Sequence, residues 1–104
     1  MKIRKERGLS SIEKAFREGH EEVRLFLTHH LSELPEAYWT KYLGKSTPKP
    51  HEVLSLLFLK EHWSKEAEEG GDVFDFTLSG DVTNYLLSVS FDADGNVDYI
   101  TMES

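Results

Sequence analysis

The residues of this chain that could do chemistry are five histidines (His20, His29, His30, His51 and His62), a surplus of carboxylates and scattered serines. A zinc hydrolase places two His four residues apart on one helix face with a Glu between them. No His-Glu-x-x-His occurs, and the adjacent His29 and His30 point to different faces of a helix. Asp92, Asp94 and Gly95 alternate as in a calcium loop. Counting from Ser90, however, the twelfth position is Thr101 rather than a bidentate Glu, and the flanks read as strands. Nucleophilic catalysis lacks both a cysteine and a strand–nucleophile–helix elbow. The one Gly-Gly pair, Gly70-Gly71, follows a predicted helix instead of opening one, so no phosphate cradle is expected. The sequence therefore implies no catalytic residues, no metal and no cofactor. The enzymatic alternative is a small hydrolase-like protein using His30 or His62 with a nearby Glu in a helix–sheet cleft.

The elements that would position these groups are clearest at the C-terminus. Residues 72–103 alternate apolar and polar side chains in three runs broken by turn signals. Asp92-Ala93-Asp94-Gly95 suits a type I turn closed by a glycine bulge. It pairs Phe91 with Val97, Val89 with Tyr99 and Leu87 with Thr101. Gly80-Asp81 suits a two-residue turn, pairing Phe76 with Tyr85 and Phe74 with Leu87. Both turns put Phe74, Phe76, Leu78, Tyr85, Leu87, Val89, Phe91, Val97 and Tyr99 on one buried face. The other face would hold Asp75, Thr77, Asn84, Ser88, Ser90 and Asp98, with Leu86, Ile100 and Met102 as an apolar cluster.

Upstream, residues 1–9 read as a flexible basic arm and residues 10–69 as three helices. The first runs from Ser10 to Leu31, with Ser10 and Glu13 as a capping box. Ile12, Phe16, Gly19, Val23, Phe26, Leu27, His30 and Leu31 form its apolar stripe, and Gly19 marks a close crossing by another element. The second spans Ser32 to Leu43 and ends at Gly44. Its Tyr38, Trp39 and Tyr42 supply either core or a partner-facing aromatic patch. The third starts at Pro48 or Pro50 and continues to Glu69, apolar almost all round from Val53 to Leu59. The expected fold is α+β: a single domain over residues 1–104, with three helices packed on one face of a three-stranded antiparallel meander.

Charge narrows the function. All 12 Lys and Arg fall within residues 1–65, whereas residues 66–104 hold ten of the 19 acids and no Lys or Arg. Nucleic-acid binding needs clustered cations, so this sheet should repel nucleic acid and could steer a basic protein. The absence of cysteine, of a membrane-length apolar run and of a signal-peptide core implies a cytoplasmic protein, bacterial in style.

The run VFDFTLSGDVTNYLLSVSFDADGNVDYITMES, the last third of the chain, resembles a family of small bacterial proteins carrying a domain of unknown function. The resemblance implies a strand–turn–strand ending and carries no catalytic residues. In size, charge and style the chain also resembles immunity proteins, which implies a toxin of a neighbouring bacterium as partner. The leading expectation is a non-enzymatic binding module whose acidic sheet meets a basic partner through Asp75 and Asp98. The alternative is a homodimer with Leu86, Ile100 and Met102 in its seam. Trp39 is the candidate contact if the helical aromatics face outward.

Overall fold

In a computed structural model, which describes residues 2–64, 71–80 and 82–103, the chain is a mixed α+β domain. Helices α1 (Lys2–Arg17), α2 (Glu21–Glu33), α3 (Glu36–Leu43) and the single turn α4 (Pro50–Val53) come first. A 3₁₀ turn, Leu54–Leu56, then leads into four strands: β1 (Leu57–Ser64), β2 (Asp72–Leu78), β3 (Leu86–Phe91) and β4 (Val97–Glu103). The strands form one antiparallel sheet in the order β1-β2-β3-β4.

The expected long first helix is two helices. Gly19 adopts a φ of 82°, a left-handed conformation that ends α1, and the His20 ring nitrogen accepts from the Val23 amide to start α2. Arg24 closes the corner by donating to the Phe16 carbonyl at 2.9 Å. Ser10 therefore lies inside α1 and does not cap it, and residues 2–9, expected to be loose, belong to that helix. The close crossing anticipated at Gly19 occurs at Gly8, where a Cβ would sit 2.9 Å from the Phe76 ring. Ser32 likewise belongs to α2, and α3 starts after Pro35.

The third predicted helix is mostly a strand. Pro50 to Val53 makes one helical turn, after which the apolar run continues as the edge strand β1 paired with β2. A short unbroken apolar run fits a buried helix or a strand equally well by periodicity. Side chains decide here: Leu57 is buried against the core, Phe58 faces outward, and Leu59 packs inward again. The predicted end of that helix, up to Glu69 and the Gly70 stop, lies outside the described residues, as does the Asp81 half of the predicted Gly80-Asp81 turn.

The meander forms, with two corrections of register. Phe74 faces Val89 and Phe76 faces Leu87, two residues from the expected pairing. The β2–β3 connection is longer than a two-residue turn: the Thr77 hydroxyl donates to the Tyr85 carbonyl, and Tyr85 precedes β3. A shift of two keeps every side chain on its face, so alternation alone cannot register it. At β4 the Asp92 carboxylate accepts from the amides of Asp94 (2.9 Å) and Asn96 (3.0 Å), as the turn chemistry requires. Phe91 does face Val97, but a bulge follows, so that Ser90 faces Tyr99 and Val89 faces Ile100. That extra residue inverts the expected faces of β4. Ile100 is buried in the core and Met102 packs against it, whereas Val97 and Tyr99 are exposed.

The core lies between the helices and one sheet face. Phe26, Leu27 and Trp39 from the helices meet Phe74, Phe76, Leu87, Val89 and Phe91 from the strands. Trp39, only 2% exposed, is core and not contact surface. Beside it the Tyr38 hydroxyl donates to the Ser79 carbonyl at 2.6 Å, and burial with neighbouring Tyr42 pushes its pKa up to about 12. Among the described residues no helix is long and apolar enough to cross a membrane.

Candidate functional site: the open face of the sheet

The helices cover one face of the sheet, and strand pairing lays out the other in lateral rows. One row runs Trp63–Val73–Ser90–Tyr99 and the next Glu61–Asp75–Ser88–Thr101. The edge strands thus place two large rings on either side of small side chains from the central strands. Three inter-strand steps of about 4.8 Å separate the Trp63 and Tyr99 backbones, roughly 14 Å. The result is a trough of about 320 Å³ floored by Val73, Asp75, Ser88 and Ser90 and walled by Trp63 and Tyr99. Its walls are wet, with Trp63 50% and Tyr99 54% exposed, while its floor is almost dry.

The floor is polar. Ser88 Oγ donates to Asp75 Oδ1 at 2.6 Å, a short charge-assisted bond between directly opposed residues. Asp75 is 6% exposed. Ser90, 1% exposed, has a hydroxyl with no hydrogen-bond partner among the described residues. A buried hydroxyl left unpaired costs roughly 1–3 kcal/mol, so a ligand atom supplying that bond would gain by it. Among the described residues no Lys or Arg lines the trough, while Glu103 stands at its rim beside Leu86.

Of the residues singled out from the sequence, Asp75 and Leu86 line this trough together. Asp98 does not: it sits at the β4 bulge, lining a groove against α1 with Lys14 and His20. Ile100 and Met102 face the helices, so the apolar seam expected on the outer face reduces there to Leu86. Trp63, Tyr99, Ser88 and Ser90 were not among the expected contacts. Trp63 fell in a presumed helix and Tyr99 in a presumed core row. Strict alternation from Leu57 and Leu59 would turn Trp63 inward; a register shift between Leu59 and Glu61 turns Glu61 and Trp63 outward, so no local pattern marks Trp63.

The histidines lie elsewhere. His30 is buried, its Nδ1 2.6 Å from the Phe26 carbonyl and its Nε2 2.8 Å from Thr83 Oγ1. A carbonyl only accepts, so Nδ1 carries the proton and Nε2 accepts from the Thr83 hydroxyl, which in turn accepts from the Tyr85 amide. Burial holds the His30 pKa below its ordinary value against the opposing pull of the Phe26 carbonyl; neighbouring His29 adds to the lowering. His62 stacks on Phe74 at 4.3 Å, with Nε2 3.4 Å from Asp72 Oδ1 but outside hydrogen-bond geometry. Its carboxylate neighbour is thus an Asp across the strand pair rather than a Glu. Among the described residues no group of three His, Asp or Glu side chains could hold a metal ion. Comparison with protein-family models, with curated proteins and with solved structures finds no match for this chain.

Proposed function

We propose that the chain is a non-enzymatic protein-binding module whose open sheet face receives a basic protein. The observation that supports this reading is the trough: exposed Trp63 and Tyr99 flank a buried carboxylate, with no cation lining it among the described residues. Interface centres are enriched in Trp and Tyr, and a one-signed surface steers an oppositely charged partner. Phe58, 41% exposed on the same face, extends the aromatic surface along β1. Residues 66–104, with ten acids and no Lys or Arg, supply the long-range field. An immunity role against a basic toxin is the form of this reading that the resemblance implies.

The test is a capture experiment run in parallel with the wild-type chain and a Trp63→Ser/Tyr99→Ser variant, eluted by a salt gradient. A stoichiometric basic partner held by the wild type, released between low and moderate salt and lost by the variant, is the expected result. A partner retained equally by both chains would rule out the open face. Recovery of the bait alone, with a dimer mass on light scattering that the variant loses, would move the face to self-association.

A further inference from the structure

We infer that the trough is a receptor for a single arginine side chain of the partner, inserted between Trp63 and Tyr99 to reach Asp75 and Ser90. The inference rests on the binding-module reading and adds the chemistry it recognises. Three features select the group. The floor presents a buried carboxylate, held in place by the Ser88 hydroxyl that donates to its Oδ1. Beside it the buried Ser90 hydroxyl has no partner among the described residues. Rings of Trp and Tyr form the two walls.

A guanidinium meets all three demands. It is planar, stacks on aromatic faces, is more weakly hydrated than an ammonium, and carries five donors in a fixed fork. One edge can donate to Asp75 while another N–H donates to Ser90 Oγ, from the neighbouring row. An ammonium satisfies the charge but is a compact, strongly hydrated ion that loses more water on entering a nearly dry floor. A volume of about 320 Å³ is at the small end for a ligand pocket, suited to one side chain rather than a folded segment. Burial matters too: an exposed ion pair contributes little, whereas one formed on a desolvated floor with its hydrogen bonds satisfied is more strongly felt.

The experiment is an amide and indole NMR titration of the intact chain with two capped peptides, Gly-Gly-Arg-Gly-Gly and Gly-Gly-Lys-Gly-Gly. The arginine peptide should shift the Trp63 indole and the amides of Asp75, Ser88 and Ser90 saturably. The lysine peptide should bind several-fold more weakly. Asp75→Asn, near-isosteric, should lower affinity at least tenfold and Ser90→Ala a few-fold, and the spectra themselves show whether each variant is folded. Equal binding of both peptides, shifts spread over Asp92 and Asp94 instead, no shift at all, or an unaffected Asp75→Asn would each overturn the inference. The two readings fail separately: a captured partner lost by Trp63→Ser/Tyr99→Ser but indifferent to Asp75→Asn keeps the binding face and removes the arginine receptor.

Discussion

The His30 ring and the Thr83 hydroxyl meet at 2.8 Å across 53 residues of sequence, tying α2 to the β2–β3 connection. Because burial lowers the His30 pKa, protonation favours the unfolded chain. The contribution of this group to stability is complete above about pH 6.5, the ordinary value. It declines as pH falls from there through the lower folded-state value. Urea unfolding at a series of pH values should show that loss, and His30→Gln should flatten it. Thr83→Val, which leaves Nε2 facing a methyl group, should cost about 1–3 kcal/mol at neutral pH.

The two tryptophans separate core from surface. Trp39→Ala opens the core under α3 and should cost about 3–5 kcal/mol. Trp63→Ala removes a ring that is only half-buried and should cost less, about 1–2 kcal/mol. Chemical denaturation measures both, and acrylamide should quench the fluorescence of Trp63 far more than that of Trp39.

Gly8 is replaceable by Ala only at a loss. In a helix interior the exchange ordinarily gains about 1 kcal/mol. Here the new methyl meets the Phe76 ring at 2.9 Å, and that ring is itself buried. Overpacking of this kind costs about 1–3 kcal/mol, so the net effect should be destabilising by thermal melt.

The β4 bulge is tested by a pair of charges. Ile100→Lys drives an ammonium into the core and should cost about 3–5 kcal/mol or abolish folding. Tyr99→Lys should leave the fold intact, since that side chain already faces water. The opposite ranking would restore the unbulged register, with Tyr99 inward.

Much of the sheet was legible because its turn at Asp92 and its period-two alternation are both local. Faces on β2 and β3 followed from alternation, whereas the β2–β3 pairing did not, because a slip of two residues leaves Phe74, Phe76, Leu87 and Val89 facing the same way. The β4 faces were lost to one extra residue at Asp98, which no hydrophobic pattern distinguishes from regular pairing. The fourth strand was hidden by Leu56 to Leu59, a run whose apolarity satisfies either element, and by a Pro-led helical turn before it. Of the trough, Asp75, Leu86, Ser88 and Ser90 were visible as outward residues. Its walls were not, since they come from the two strands whose faces or identity the sequence obscured. That Ser88 and Ser90 are buried follows only from the large side chains beside them, a lateral relation across strands rather than along one.

The most direct measurement is hydroxyl-radical footprinting of the chain alone and bound to its captured partner, which reads side-chain access residue by residue. The account predicts that Trp63 and Tyr99 are oxidised readily in the free chain and protected in the complex. Leu25 and Tyr42, exposed on the helices, should react at unchanged rates in both. Protection of Leu25 or Tyr42 with Trp63 and Tyr99 still oxidised at their free rates would place the partner on the helical side and contradict the open-face account.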